Sequence, residues 1–148
     1  MKITIDGPVA CGKTAVGRAL SRRIPAKFLD TGMMYRAVTW ASIQAGVDPN
    51  DNIALANLTK SLDIEILLEN GEQVLKVNGT DITDVLRDSE IESNVPKISL
   101  VSEVRYELVN QQRAVASTGD IVMVGRDTGT VVIPEADLKI YLDASIQI

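Results

Sequence analysis

The spacing of apolar and polar residues predicts alternating strands and helices over the first part of the chain. A β-branched run at residues 2–5 precedes a glycine-rich turn and a helical pattern over 13–23, with the apolar positions Val16, Ala19, Leu20 and Ile24. This order is typical of a buried strand, a loop and a helix. A strand at 27–29 and a helix at 33–45 repeat it, and a shorter helix extends to about residue 60.

Between residues 62 and 84, the period of apolar and polar positions changes to two residues. Segments 63–67 and 73–77 alternate like strands, and the Asn-Gly pair between them is a strong hairpin signal. A second Asn-Gly pair precedes a short strand at 81–83. We therefore predict a small antiparallel meander inserted into a βα-type chain.

Helical patterns return at 88–94 and 96–116, and a continuous apolar run follows at 121–124. Such a run predicts a central parallel strand that is buried on both faces. With a last strand at 138–142, the order of elements predicts an α/β fold, a parallel sheet with helices on both faces. Ligands bind at the carboxyl ends of such strands, so the strings that follow the first, second and central strands should converge on one cleft.

The string after the first strand, GPVACGKT, has the spacing of a phosphate-binding loop. Its glycines let successive N–H groups point inward, and the helix N-terminus adds partial positive charge. Lys13 would reach the β- and γ-phosphates, and the Thr14 hydroxyl would ligate Mg²⁺. We expect a nucleoside triphosphate to bind nine residues: Gly7, Pro8, Val9, Ala10, Cys11, Gly12, Lys13, Thr14 and Ala15.

Composition narrows the classes of function. The 148 residues are 45% apolar, carry a net charge of −5 and include one cysteine and no histidine. No run approaches the roughly 18 apolar residues of a membrane span, and no secretory signal is visible, so we expect a cytoplasmic protein. The acidic charge without a basic tract argues against nucleic acid as a partner. Lack of histidine excludes acyl-transfer triads, whereas phosphoryl transfer needs none.

Other strings separate the classes of P-loop protein. A regulatory GTPase needs Asn-Lys-x-Asp, and the nearest string, at 78–81, lacks the lysine. An adenylate-type kinase carries Asp-Gly-Phe-Pro-Arg after its central strand, where this chain has Gly125, Arg126 and Asp127. A motor or large ATPase needs a longer chain. The class that remains is a small kinase, which moves the γ-phosphoryl group of ATP to a small acceptor. We expect this acceptor to be a phosphate monoester.

A phosphate acceptor requires arginines, because two polyanions must approach each other. Arg36 follows the second strand and Arg126 ends the central one, so both are predicted phosphate ligands. Arg105, with glutamates two residues away on either side, and Arg113 are interpreted from the pattern alone as surface residues. Asp127 is predicted to hold Mg²⁺ through water or to bind a ligand hydroxyl or amine.

Several strings match one known family. They are ITIDGP at 3–8, the phosphate loop, LDTGMMYRAV at 29–38, the meander, Val-Arg at 104–105 and GRDTGTVV at 125–132. Together they resemble the bacterial cytidylate kinases over nearly the whole chain. The resemblance implies that ATP, with Mg²⁺, donates its γ-phosphoryl group to CMP or dCMP, giving ADP and the nucleoside diphosphate.

The resemblance also implies roles for single residues. Lys13 and Arg126 would be catalytic, and CMP would bind six residues: Thr31, Tyr35, Arg36, Arg105, Arg126 and Asp127. The two phosphate ligands would be Arg36 and Arg126, and the base would meet Arg105 and Asp127, which replaces the surface interpretation of Arg105. A carboxylate that accepts from the exocyclic amine of cytosine disfavours uracil, which lacks that donor.

Family members have Val-Ser where this chain has Val95 and Pro96. One polar contact to cytosine is therefore missing, which would relax selectivity against UMP about fivefold. Cys11 also stands where the family has small residues.

The family continues past the strand at 138–142 with an arginine-rich lid, whereas this sequence stops at 148. We expect a single P-loop kinase domain at 1–148 that is C-terminally short, with an acceptor-binding insertion at about 33–100 that includes the meander. We also expect the protein to be a monomer. Its partners should be nucleotides, and it should not bind a membrane. Two alternatives stay open: a lidless nucleotide-binding protein with little catalysis, or an ATP-dependent kinase of another small acceptor.

Overall fold

A computed structural model describes residues 1–8 and 10–143 of the chain. In chain order, the helices and strands are β1 (Lys2–Asp6), α1 (Lys13–Arg23), β2 (Lys27–Asp30), α2 (Thr31–Gln44), α3 (Asn52–Ser61), β3 (Ile64–Glu69), β4 (Glu72–Val77), β5 (Thr80–Asp81), α4 (Ser89–Ser99), α5 (Ser102–Ala116), β6 (Ile121–Gly125) and β7 (Leu138–Tyr141). None of these helices combines the length and the apolar character needed to cross a bilayer.

The chain divides into two units. The sheet unit comprises Met1–Gly32 and the residues from Gln111 onward, and the meander unit is Met33–Asn110. The predicted acceptor-binding insertion, about 33–100, lies within the bounds of the meander unit.

The sheet unit is built on four parallel strands in the order β2-β6-β1-β7. All five residues of β6 are buried, and β6 lies between β1 and β2 as the apolar run predicted. In register, Asp6 lies opposite Gly125, and Asp30 lies opposite Val124. The carboxyl ends of β1, β6 and β2 are therefore adjacent. With its helices and a separate antiparallel sheet, the chain has the predicted P-loop α/β fold.

Helix α1 has the predicted bounds, and Leu20 and Ile24 of its predicted apolar face pack against the core, but its fully buried positions are others. Gly17 and Ser21 are the buried residues of the helix, whereas Val16 is 43% exposed. A Cβ atom on Gly17 would lie 2.7 Å from Val124 Cγ1 and 2.8 Å from Phe28 Cε2. The helix therefore approaches the sheet so closely at Gly17 that only glycine fits there, and Leu20 and Ile24 pack against the core around this point.

Replacing Gly17 with alanine is expected to lower the free energy of unfolding by about 1–3 kcal/mol, the usual cost of overpacking. Alanine normally stabilises a helix interior by about 1 kcal/mol relative to glycine. A loss would therefore show that the collision with Val124 and Phe28 outweighs helix propensity. Urea denaturation measures the difference.

The matched control is Ala19→Gly on the exposed side of the same helix. It reports propensity alone and should cost about 0.5–1 kcal/mol. A Gly17→Ala protein that is more stable than the wild type would contradict the close contact between α1 and the sheet.

The meander unit contains the predicted antiparallel sheet, β3-β4-β5. Both Asn-Gly pairs, at 70–71 and 78–79, have positive φ at each residue, as a type I′ turn requires. The third strand is shorter than predicted and ends at Asp81. Its carboxylate accepts hydrogen bonds from the Thr83 hydroxyl at 2.6 Å and the Thr83 N–H at 2.9 Å, which begins a 3₁₀ turn and lowers the pKa of Asp81.

The predicted helix break near residue 95 is wrong. Helix α4 continues through Pro96 to Ser99, and the break follows at 100–101. Ile91 and Ile98, seven residues apart, are both buried, so one apolar face spans the proline. Packing of that face outweighs the hydrogen bond that proline cannot donate.

Candidate functional site

The predicted phosphate loop connects β1 to α1 in the sheet unit. Ala10 and Gly12 have φ angles of 62° and 89°, in the left-handed region that is uncommon for a residue with a side chain. Residues in this conformation form the backbone concavities that bind anions. Apart from its neighbours in the chain, no described residue has an atom within 4 Å of the point where a Cβ on Gly12 would be, so the described part of the chain leaves space there. Val9, another predicted loop residue, lies outside the described residues.

Helix α1 begins on this loop without a side-chain cap. The N-cap is Gly12, and the first helical bond runs from the Val16 N–H to the Gly12 carbonyl at 3.1 Å. The N–H groups of Lys13, Thr14 and Ala15 precede that bond, and such groups have no intrahelical acceptor. An uncapped helix start behind a curved loop is well suited to bind phosphate.

Lys13 turns back over the loop. Its Nζ donates a hydrogen bond to the Pro8 carbonyl at 3.0 Å, so the side chain spans the loop from one end to the other. The side chain is half-buried. This arrangement brings a positive charge to the same loop that carries the uncapped N–H groups.

Thr14 contacts Asp30, which belongs to the string predicted to converge with the phosphate loop but had no predicted role of its own. Its Oγ1 donates to Oδ2 of Asp30 at 3.2 Å, and Oδ1 of Asp30 accepts the Gly32 N–H at 3.0 Å. Asp30 thus caps α2, which begins two residues earlier than predicted. Its place at a strand's carboxyl end beside the phosphate loop was the signal that could have identified it. The two neighbouring oxygens, a hydroxyl and a carboxylate, are hard ligands that fit Mg²⁺.

The end of β6 is packed against the start of α2. Thr31 is buried, and its Oγ1 donates to the Val124 carbonyl at 3.0 Å. A Cβ on Gly125 would collide with Thr31 Oγ1 and would lie 2.8 Å from Thr128 Cγ2. Thr31 therefore connects two strand ends. Its predicted place in the acceptor pocket stays a prediction.

Arg126 follows directly and is exposed. No hydrogen bond or ion pair joins its guanidinium to any residue in the described part of the chain. Asp127 is half-buried, and its backbone carbonyl accepts the N–H groups of Val131 and Val132 at 2.9 and 3.3 Å. The second of these bonds spans five residues, so Thr128–Val132 forms one π-helical turn, which we call the π-turn.

The strings after β1, β2 and β6 were predicted to converge, and within the sheet unit hydrogen bonds join them. The Gly7 N–H donates to the Gly125 carbonyl at 3.3 Å, which joins the phosphate loop to the end of β6. Thr14 meets Asp30, and Thr31 meets Val124. The phosphate loop, the end of β2 and the end of β6 form one continuous hydrogen-bonded edge.

Arg36, Tyr35 and Arg105 belong to the meander unit. Nη1 of Arg36 donates to the Leu86 carbonyl at 3.0 Å and to Oε1 of Glu92 at 2.6 Å. Nη1 of Arg105 donates to the Ser99 carbonyl at 3.5 Å. Both arginines and Tyr35 are half-buried. The phosphate role of Arg36 and the base role of Arg105 stay predictions.

Glu92 is a partner of Arg36 that the sequence analysis did not identify. The hydrogen bond from Arg36 is the main cause that lowers the pKa of Glu92, with further attraction from Arg36 and Arg87, against some desolvation. A lowered pKa means that the stabilisation by this pair is present at neutral pH and is lost as the pH falls through that pKa. The pair contributes little in total because Glu92 is 47% exposed.

A family profile described as cytidylate kinase matches residues 3–148. The chain is 44% identical to a cytidylate kinase of Roseiflexus castenholzii, over 97% of this chain and 64% of that protein. It is 42% identical to a cytidylate kinase of Bacillus subtilis, over 99% of this chain and 66% of that protein. A bifunctional pantoate ligase/cytidylate kinase of a Synechococcus strain is 41% identical, over 97% of this chain and 30% of that protein.

The chain thus spans 64 to 66% of the length of these curated cytidylate kinases. The profile covers both the sheet unit and the meander unit. The chain belongs to the cytidylate kinase family.

Proposed function

We propose that this protein transfers the γ-phosphoryl group of ATP to CMP or dCMP. One observation carries the proposal: the phosphate loop with Lys13 is hydrogen-bonded, through the Gly7 N–H and the Gly125 carbonyl, to the segment that presents Arg126, an exposed arginine without a partner among the described residues. A phosphate loop alone indicates triphosphate binding. An exposed guanidinium at the neighbouring strand end adds a second anion site. The choice of CMP or dCMP as the acceptor is supported by the names of the relatives, which are cytidylate kinases.

On the donor side, the loop N–H groups and Lys13 hold the β- and γ-phosphates. Thr14 and Asp30 would hold Mg²⁺, Thr14 directly and Asp30 directly or through water, with Asp127 as a further predicted water-mediated ligand. Bound Mg²⁺ would neutralise charge on the phosphates. The loop also orients the terminal phosphate, and Lys13 stabilises the charge that develops on it.

On the acceptor side, the phosphate of CMP carries two negative charges toward a triphosphate. Arg36 and Arg126 offset that repulsion and orient an acceptor oxygen for in-line attack on the γ-phosphorus. The bond from the γ-phosphorus to the bridging oxygen breaks as the new bond forms. ADP leaves, and no covalent enzyme intermediate is needed.

The base is selected by Arg105 and Asp127, with the Asp127 carboxylate accepting from the exocyclic amine of cytosine. Pro96 lies within α4 and has no side-chain hydroxyl, which supports the expectation that one contact to cytosine is absent. UMP should therefore be a poorer acceptor than CMP by a modest factor.

A coupled assay of ADP formation tests the proposal with CMP, dCMP, UMP and AMP at matched concentrations. We expect CMP and dCMP to be used best, UMP less well, and AMP hardly at all. Preferred turnover of AMP would contradict the base assignment. Binding of ATP and CMP without ADP formation would favour the alternative of a nucleotide-binding protein with little catalysis.

Three further expectations belong to this proposal: a monomer, a cytoplasmic location, and no nucleic-acid or membrane partner. The net charge of −5 supports the lack of a nucleic-acid partner. Light scattering at micromolar concentration would measure the oligomeric state.

A further inference from the structure

We propose that Asp6 and Arg113 are positioning residues that hold the π-turn at its two ends and thereby orient Arg126 and Asp127 for the acceptor. This inference rests on the proposed function, because Arg126 and Asp127 are acceptor ligands only there. Neither Asp6 nor Arg113 was assigned a role from the sequence. The contacts lie entirely within the sheet unit.

Asp6 holds the first end of the π-turn. It is the last residue of β1, is 7% exposed, and accepts three hydrogen bonds. The Thr128 N–H donates to Oδ1 at 2.8 Å, the Thr128 hydroxyl donates to the same oxygen, and the Gly129 N–H donates to Oδ2 at 2.8 Å. A buried carboxylate that accepts backbone N–H groups fixes their position strongly, since losing it would leave those donors unpaired.

Arg113 holds the other end. It lies in the last turn of α5, at the surface as expected, but its guanidinium is engaged. Nε donates to the Val132 carbonyl at 3.0 Å, and Nη2 donates to the Val131 carbonyl at 2.7 Å. These carbonyls end the π-turn, where a helical segment has unpaired acceptors and partial negative charge. The rigid fork of arginine matches two adjacent carbonyls, which one ammonium group cannot do equally well.

The backbone of Arg126 is held on both sides by these contacts. Gly125 before it is paired in register with Asp6, and Asp127 after it is the acceptor of the first π-turn bonds. Gly129 is packed so tightly that a Cβ there would lie 2.6 Å from Thr4 Oγ1. The backbone of Arg126 therefore has little freedom to move, while its exposed side chain has no partner among the described residues.

This arrangement should affect the acceptor more than the donor. No hydrogen bond joins Arg113 to a described residue of the phosphate loop, whereas the π-turn directly continues from Arg126 and Asp127. A bidentate guanidinium contact depends on orientation, and small displacements are costly. Loss of the Arg113 contacts should raise the KM for CMP and leave the KM for ATP nearly unchanged.

The test compares Arg113→Ala and Arg113→Lys with the control Arg22→Ala, each made in the full-length natural protein. Arg22 is an exposed arginine in the last turn of α1. We expect Arg113→Ala to raise the KM for CMP about tenfold and the KM for ATP less than twofold. Arg113→Lys should restore part of the loss, and Arg22→Ala should change neither value. Asp6→Asn, which keeps the shape but loses one acceptor oxygen, should act in the same direction as Arg113→Ala.

Hydrogen exchange of the peptide covering 126–132 gives a readout that does not need activity. Its amides should exchange faster in Arg113→Ala than in Arg22→Ala. Equal changes in both KM values, or a lowered Tm without any change in the KM for CMP, would overturn the positioning role. If the unaltered protein does not use CMP, the proposed function fails, and exchange alone decides: equal rates in the two variants would then overturn the inference.

Discussion

Replacing Lys13 with alanine is expected to lower kcat/KM for ATP by about 10²- to 10³-fold, the usual cost of removing a donor that is aimed at charge developing in a transition state. The expected effect of Lys13 is large because this residue supplies a full positive charge to the phosphate loop. Its bond to the Pro8 carbonyl is exposed, so the folded state should lose little stability. Coupled assays at varied ATP concentration, with CMP saturating, measure the loss.

A second measurement separates ATP binding from catalysis. Cys11 is the only cysteine in the chain and lies half-buried in the phosphate loop, so its alkylation by a maleimide reports whether the loop is occupied. ATP should slow alkylation in the wild type and much less in Lys13→Ala. The control is Lys60→Ala, an exposed lysine in the last turn of α3. If Lys13→Ala keeps wild-type turnover, the donor site has been assigned to the wrong loop.

Replacing Arg126 with alanine is expected to lower kcat/KM for CMP by about 10²- to 10³-fold, since an arginine that binds the acceptor phosphate would act in the transition state as well as in the ground state. Alkylation of Cys11 should still be slowed by ATP. Because Arg126 is exposed and has no described protein partner, its loss should change the free energy of unfolding by less than about 0.5 kcal/mol. The same kinetic assay with CMP varied, together with urea denaturation, measures both effects.

Arg126→Lys keeps the charge but loses the two-pronged geometry, so it should recover only part of the activity. Arg22→Ala is again the matched surface control. Unchanged CMP kinetics in Arg126→Ala would remove Arg126 from the acceptor site, and an equal loss of ATP binding would move it to the donor side.

Local patterns were sufficient for much of the fold. The bounds of α1 and the character of β6 were predicted correctly, because a glycine-rich loop between a strand and a helix, and a continuous apolar run, each leave few alternatives. The two Asn-Gly turns were equally clear, since few residues other than glycine and asparagine adopt positive φ at low cost. In each case the deciding interactions lie within about ten residues of the chain.

Prediction was less accurate where distant segments compete with a local preference. Pro96 normally ends a helix, but the packing of Ile91 and Ile98 carries α4 past it. On α1, the spacing of large apolar residues identified Leu20 and Ile24, which pack against the core, but it did not identify Gly17. The sheet accepts only Gly17 at the point of closest approach, and a residue without a side chain gives no hydrophobic signal.

A phosphate-binding loop, an α/β sheet and two candidate phosphate ligands, Arg36 and Arg126, can be inferred from the sequence alone. How the phosphate loop and Arg126 are held depends on the tertiary structure. Asp6 and Thr128 are 122 positions apart, and Thr14 and Asp30 lie on different elements, so no local pattern reports either contact. Such contacts depend on the register of parallel strands, which brings the ends of β1, β2 and β6 together. The loop that binds phosphate is a property of a few neighbouring residues, whereas the orientation of Arg126 beside it depends on the sheet and on α5.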